Sequence, residues 1–180
     1  MKGFQRRNQL LSLCGLNCGL CPMFLQKHCG GCGNGNQSCK LAGCSLEHGG
    51  VEYCCECERY PCEKYDHIDD FDSFITHQRQ KADLEKARRI GIEAYNLEQR
   101  EKMRILNCLL SRYGDGRRKT FFCTAVNLLE LSDVQEAVRR IGQDKAASAL
   151  PAKEGALRAV GIFQAIAAER NIEIKLRRKK

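Results

Sequence analysis

The sequence contains no tryptophan and only three prolines, and it has no long hydrophobic run. A membrane-spanning helix needs about 20 consecutive apolar residues, so the sequence predicts no membrane span. Hydrophobic residues make up 43% of the chain and charged residues 29%, which excludes a disordered or fibrous chain. A chain of 180 residues suits one mixed domain or two small ones.

The N-terminal residues do not form a complete export signal. Lys2, Arg6 and Arg7 precede a short apolar run at residues 10–13, which a serine interrupts. A secretory signal needs an apolar core of about 7–15 residues. We therefore expect a cytoplasmic protein whose cysteines stay reduced and which does not associate with a membrane.

Cysteine, in contrast, is abundant: the chain has 13, and 11 of them lie between Cys14 and Cys62. Disulfides form mainly in oxidising compartments, and an odd total would leave one thiol over if all were paired. In a reducing compartment, this density and the short spacings favour thiolate ligation of a metal. The ten candidate ligands fall into three groupings: Cys14, Cys18 and Cys21; Cys29, Cys32, Cys39 and Cys44; and Cys54, Cys57 and Cys62.

The sequence leaves open how these ten cysteines are shared among metal sites. A tetrahedral zinc site takes four ligands, and the second grouping has enough cysteines to supply all of them. The first grouping has three and needs a fourth from the last grouping. Two four-cysteine sites leave some thiols unassigned, whereas a six-cysteine, two-metal cluster with one four-cysteine site uses all ten.

Zinc is the metal that this ligand set favours, because a structural zinc can replace the core that a small segment lacks. The alternative is a [4Fe–4S] cluster on Cys14, Cys18 and Cys21, whose spacing, followed by a proline, is similar to cluster loops of ferredoxins. Soft thiolate ligands accept both metals. Among the histidines, His28 is the main candidate ligand because it directly precedes a cysteine.

The remaining three cysteines are predicted not to bind metal. Cys55 is expected to be a bystander, since two adjacent cysteines seldom reach the same ion with ease. Cys108 and Cys123 lie among large apolar residues in the second half of the chain and are predicted to be core thiols.

Two runs within the cysteine-rich half are distinctive: CGLNCGLCP at positions 14–22 and CCECERYPCEK at positions 54–64. With the cysteines between them, they resemble the family called domain of unknown function 3795, a group of small cysteine-rich bacterial and archaeal proteins. The resemblance covers positions 14 to about 65 and implies a metal-binding module without an established activity. Many relatives carry Asp where this chain has Asn17, and Cys55 replaces a residue that is often glycine; neither departure removes a pattern cysteine.

A mostly α fold is predicted, in which a small, irregular, metal-stabilised module at positions 1–70 packs on a helical domain at positions 71–180. Apolar spacing predicts about five helices in that domain. Their markers are a first helix from Phe71 to Gly91, a second that ends at Tyr113, a third at residues 122–129, a fourth capped by Ser132 and stopped by Gly142, and a fifth opened by Pro151. The alternation of Ile172, Ile174 and Leu176 with polar residues predicts a short terminal strand.

The sequence contains no Ser-His-Asp set, Walker loop or nucleotide fingerprint, and it therefore indicates no enzyme. The formal net charge is +8, yet residues 14–65 carry four basic and five acidic side chains, while five of the last six residues are basic. A basic tail of this kind binds phosphates through counterion release. We expect a zinc-binding protein with a structural or interaction role, for which a protein partner also fits. The alternatives are an iron–sulfur redox protein and a nucleic-acid-binding zinc protein.

Overall fold

The computed structural model describes residues 1–114, 118–144 and 152–179. Within these ranges the protein is mostly helical, with seven α-helices and no β-strand, which confirms the predicted mostly α class. The cysteine-rich half holds two short helices, α1 (Pro22–Leu25) and α2 (Lys40–Glu47), and the single-turn 3₁₀ helices Cys18–Leu20, Cys54–Glu56 and Glu63–Tyr65. Five helices follow: α3 (Gln80–Ile90), α4 (Ile92–Tyr113), α5 (Arg118–Leu128), α6 (Leu131–Gln143) and α7 (Ala152–Glu169). None of the described helices is both long and apolar enough to cross a membrane.

The first helix after position 70 begins later than predicted. Its end at Gly91 is confirmed, where φ is +89° and glycine avoids the strain of that conformation. The predicted start at Phe71 is wrong, because the Asp72 carboxylate accepts hydrogen bonds from the His77 amide at 2.6 Å and from the Thr76 hydroxyl at 3.3 Å. These bonds fold residues 71–79 into an irregular turn instead of a helix.

The start of α6 also differs from its prediction. Glu130 is the N-cap and Ser132 lies inside the first turn, so the predicted capping box is wrong. The Glu130 side chain instead pairs with Lys86 and Arg79, which ties α6 to α3. Gly142 does not end the helix, which continues for one more residue. The predicted start of the last helix at Pro151 lies outside the described residues.

The largest apolar core lies among α4, α5, α6 and α7. At its centre, the ring of fully buried Phe122 lies 5.9 Å from that of Phe163 and 6.4 Å from that of Tyr113. Leu20 of the cysteine-rich half belongs to the same core. A second core combines residues of both halves: Leu11, Tyr53, Tyr65, Leu84, Ala87 and Tyr95. Residues before and after position 70 therefore share two cores.

The C-terminal residues pack on the turn at residues 69–78. Asp72 binds the backbone of Arg177 twice: its amide donates to the Arg177 carbonyl, and its carboxylate accepts from the Arg177 amide, each at 2.7 Å. The side chain of Gln78 donates from Nε2 to the Lys175 carbonyl at 2.9 Å. Residues 172, 174 and 176 are half-buried and alternate with exposed ones, as predicted, but the predicted strand is wrong. The hydrogen bonds of this segment go to a turn, since no strand in the described ranges offers it an edge.

Asp72→Ala should therefore loosen this segment. The change leaves the partly buried His77 and Arg177 amides without their charged acceptor, and a hydrogen bond to a charged group contributes about 1.5–3 kcal/mol. We expect the free energy of unfolding to fall by about 3 kcal/mol in urea titrations and proteases to cut faster near Arg177. Asp70→Ala is the matched control, because the exposed Asp70 carboxylate pairs with His67 on the same turn and makes no hydrogen bond to the C-terminal segment among the described residues. Equal stability of the two variants would contradict the assignment.

Candidate metal centre

The first three candidate ligands lie on the tight loop at residues 11–21. Ser12 Oγ accepts a hydrogen bond from the Leu16 amide at 2.7 Å and lies 3.3 Å from Cys14 Sγ. The 3₁₀ helix Cys18–Leu20 then turns the chain towards Cys21. The hydroxyl and the amides of this loop are donors, so they suit a thiolate at Cys14.

Five of the candidates form a group that we call the loop set: Cys14, Cys18, Cys29, Cys32 and Cys39. Burial raises the pKa of Cys14 to about 11 and raises the pKa values of Cys18 and Cys32 as well. A thiolate at Cys32 raises the pKa of Cys14 and of Cys18 further. Thiolates at Cys29 and Cys39 act in the same way on their neighbours in the set. These thiols therefore lie close enough for their charges to interact.

Four other candidates, which we call the cavity set, line a single small cavity of about 30 Å³. They come from three separate segments: Cys44 of α2, Cys54 and Cys57 at the two ends of a 3₁₀ turn, and Cys62 before the next one. A cavity of this volume has room for about two water molecules, which is the scale of a single ion with little solvent. The sequence offers four successive cysteines for one site: Cys29, Cys32, Cys39 and Cys44. The structure separates Cys44 from the other three, because Cys44 faces later cysteines.

Tyr65 lies between the two sets. Its hydroxyl donates to the carbonyl oxygen of Cys14 at 3.3 Å, and hydrogen bonding with Tyr65 acts to lower the pKa of Cys54. Burial raises the pKa of Cys54 to about 12, and thiolates at Cys14 and Cys44 contribute to the increase. Cys14 and Cys54 are therefore neighbours, and the two sets are adjacent.

His48 is a candidate donor that the sequence prediction does not include. Its ring lines the cavity, with Nδ1 at 3.6 Å from Cys44 Sγ and at 2.9 Å from the Cys44 carbonyl oxygen. A proton on Nδ1 that is donated to this carbonyl leaves Nε2 unprotonated, the form in which histidine binds metals. The signal in the sequence is the spacing of four residues at a helix end, which places both side chains on one face. His28, the predicted candidate, is exposed at the surface.

Cys21 and Cys123 differ from the other cysteines by facing each other across the two halves. Both are buried, and a charge on Cys21 raises the pKa of Cys123, which burial already raises to about 12. The prediction that Cys123 is a core thiol is confirmed. Cys21 also neighbours Cys18, so it lies at the margin of the loop set.

The two other cysteines that are predicted not to bind metal lie in different surroundings. Cys55 lies outside the cavity wall and next to Glu85 and Arg88 of α3, and its role as a bystander stays a prediction. Cys108 is exposed, so its prediction as a core thiol is wrong. It belongs to the face of α4 that points to solvent, because Leu106 and Leu109 turn towards the core.

Within the described ranges, no group of three or more His, Cys, Asp or Glu side chains is arranged to hold a metal ion. The thiols of each set are neighbours, yet their sulfur atoms do not converge on one point. The fold brings together side chains of the right kind, cysteine thiols, in sufficient number for metal binding. Hydrogen-bond donors also interact with several of the sulfurs.

Comparison of the chain with models of known families, with curated proteins and with solved structures finds no significant match. The resemblance to domain of unknown function 3795 therefore depends on the cysteine pattern of positions 14 to about 65.

Proposed function

We propose that the protein binds zinc through the cysteines of residues 14–62 and that the metal stabilises the cysteine-rich half for a structural or interaction role. The observation that carries the proposal is the cavity set, in which four thiols from three segments line one cavity. Four thiolates are the complete ligand set of a structural zinc site. The cavity walls include apolar and aromatic side chains, which exclude water from such a site.

The proposal assigns one metal site to the cavity set and a second site to the loop set. Each cysteine sulfur turns about a single Cα–Cβ bond, so we expect changes of side-chain rotamers to bring neighbouring sulfurs together on a metal. The groups of Leu13, Leu16 and Tyr65 that donate hydrogen bonds to the sulfurs then stabilise the thiolates that zinc requires. Two four-ligand sites use eight of the ten candidates, which are the cavity set and four of the five thiols of the loop set, and Cys21 is left beside Cys123.

A structural role fits the small size of the core in this half. One of its apolar clusters contains only three buried residues, Phe4, Leu13 and Ala42, with Cys32 and Cys39 packed against it. A structural zinc supplies about 10–16 kcal/mol of apparent folding free energy, far more than so small a cluster. The proposal includes a cytosolic location, where thiols remain reduced and free to bind metal.

A second candidate function is iron–sulfur redox chemistry at the loop of residues 11–21. The observation that favours it is that Cys18 neighbours both Cys14 and Cys21, so three thiols of one loop interact. Three cysteines leave one position of a [4Fe–4S] cluster to a further thiol. Nucleic-acid binding stays a prediction from charge, because Arg177 of the basic tail is engaged by the turn at residues 69–78.

Anaerobic purification, followed by elemental analysis and a visible spectrum, separates the two metals. We expect a colourless protein with about two zinc ions per chain, one for each set. A brown protein with broad sulfur-to-iron absorption and stoichiometric iron would replace the zinc proposal with the cluster. If the metal-free protein, reduced and refolded with Zn²⁺ or Co²⁺, retains neither ion, metal binding itself is refuted.

A further inference from the structure

A buried polar network joins the first cysteine loop to three helices. Its centre is Asn17, which is 2% exposed. The Asn17 Nδ2 atom donates to Asp83 Oδ2 on α3 at 2.8 Å and lies 3.4 Å from Asn127 Oδ1 on α5. Its Oδ1 atom accepts from the Tyr95 hydroxyl on α4 at 3.0 Å. One amide side chain therefore connects the loop to α3, α4 and α5.

The surroundings of Asp83 determine which way this amide points. The other Asp83 oxygen, Oδ1, accepts from Arg79 Nε at 3.3 Å, and the buried Lys102 lies nearby. An ionised carboxylate only accepts hydrogen bonds, so it selects the Nδ2 side of Asn17. Three acidic and three basic side chains balance in this region: Asp83, Glu98, Glu130, Arg79, Lys86 and Lys102.

The backbone of the loop lies directly against α3. Gly15 has a φ of +96°, and a Cβ atom there would lie 2.3 Å from the Gln80 carbonyl oxygen. A bridge between Leu11 and Asn17 holds the two sides of the loop together. Contact with α3 thus determines how closely the loop approaches the helix. The hydrogen bonds of the Asn17 side chain determine the orientation of the loop.

We propose that Asn17 is a positioning residue for the thiols of Cys14 and Cys18, which flank it in the loop. Through Asp83 and Tyr95, the helices hold this part of the loop set in place before a metal binds, so less conformational freedom is lost on binding. The inference rests on the proposed function, because the groups that Asn17 positions are the proposed ligands.

Asn17→Asp tests the proposal with almost no change of shape. The new carboxylate faces that of Asp83, so a hydrogen bond is replaced by the repulsion of like charges. We expect the zinc affinity of the loop set, measured against a competing chelator, to fall about 10- to 100-fold, as it does when partners of ligating residues are lost. In the metal-free protein, amide exchange should become faster at residues 14–21.

The double variant N17D/D83N restores the hydrogen bond with its direction reversed. The carboxylate at position 17 then accepts from the amide at position 83, and Tyr95 still donates to it. Asn127 Nδ2, which finds no hydrogen-bond partner among the described residues, gains an acceptor if its amide turns over. We expect this variant to recover zinc affinity to within about threefold of the original protein.

Asp133→Asn is the matched control for a loss of stability alone. It weakens the ion pair between Asp133 of α6 and Arg170, which directly follows α7; the two side chains lie 2.8 Å apart, and neither contacts Asn17 by a hydrogen bond. This variant should unfold at lower urea concentration with unchanged zinc affinity. A comparable loss of affinity in Asp133→Asn would mean that affinity follows global stability, and it would overturn the positioning role.

The remaining outcomes are also decisive. Wild-type zinc affinity in Asn17→Asp overturns the inference and leaves zinc binding intact, whereas an original protein that binds no Zn²⁺ or Co²⁺ refutes the proposed function instead. If Asn17→Asp does not fold, Tyr95→Phe removes the hydroxyl that donates to Asn17 and leaves the ring in place. A several-fold loss of zinc affinity in that variant supports the proposal, and unchanged affinity rejects it.

Discussion

Cys54→Ser combined with Cys57→Ser should remove one zinc ion per chain and unfold the segment around the cavity. Two of the four thiols of the cavity set are lost, and two thiolates alone do not make a structural zinc site. Because the apparent contribution of such a zinc is about 10–16 kcal/mol, the segment at residues 40–65 should lose its protection from amide exchange. Elemental analysis and hydrogen exchange measure the two effects on the same sample.

Cys55→Ser provides an unusually close control, since Cys55 is adjacent in sequence but lies outside the cavity wall. It should keep the full zinc content and the exchange protection of the original protein. Full zinc content in the double variant, or loss of a zinc ion in Cys55→Ser, would show that the cavity set is not a metal site.

Gly15→Ala should be among the most destabilising single methyl additions in this chain. The φ of +96° strains any residue with a Cβ atom, and that atom would lie 2.3 Å from the Gln80 carbonyl oxygen, which belongs to a helix backbone and has little freedom to move. Backbone strain and overpacking each cost about 1–3 kcal/mol, so we expect a loss of about 2–5 kcal/mol in the free energy of unfolding. Urea titration of the zinc-loaded protein measures it.

Gly43→Ala gives the opposite expectation for the same chemical change. Gly43 lies inside α2, and nothing lies within 4 Å of the position that its Cβ would occupy. Alanine is favoured over glycine in a helix interior by about 1 kcal/mol, so this variant should be slightly more stable. A small effect at both positions would mean that the loop does not rest on α3 as described.

The helical half could be predicted largely from its sequence because its signals are local. The end of α4 at Tyr113, before a glycine, and the buried stripe of α6 follow from apolar residues at helical spacing. The predicted helix start at Phe71 is wrong because one carboxylate, Asp72, accepts hydrogen bonds from the residues that follow it and from the C-terminal segment. Apolar spacing does not contain this information. The hydrogen bond between Asp72 and Arg177 joins residues 105 positions apart, and no local sequence pattern encodes it.

The sequence could predict which residues are candidates for the site, but it could not predict how they are divided between the two sets. The spacing of the cysteines predicts ten candidate ligands, which include all nine members of the two sets, because short spacings are what a shared ion requires. The grouping of Cys44 with Cys54, Cys57 and Cys62 depends on how α2 packs, which is a tertiary contact. The orientation of Asn17 likewise depends on Asp83, a residue 66 positions away.

The pairing of Asp72 with Arg177 has a consequence for biosynthesis. A ribosome makes the chain from its N-terminus, and at about 5–20 residues per second the cysteine-rich half emerges several seconds before residue 177. During that interval the turn at residues 69–78 lacks the acceptor and donor groups that later hold it. The junction at residues 69–78 therefore closes only after the last helix and the C-terminal segment that follows it have been synthesised.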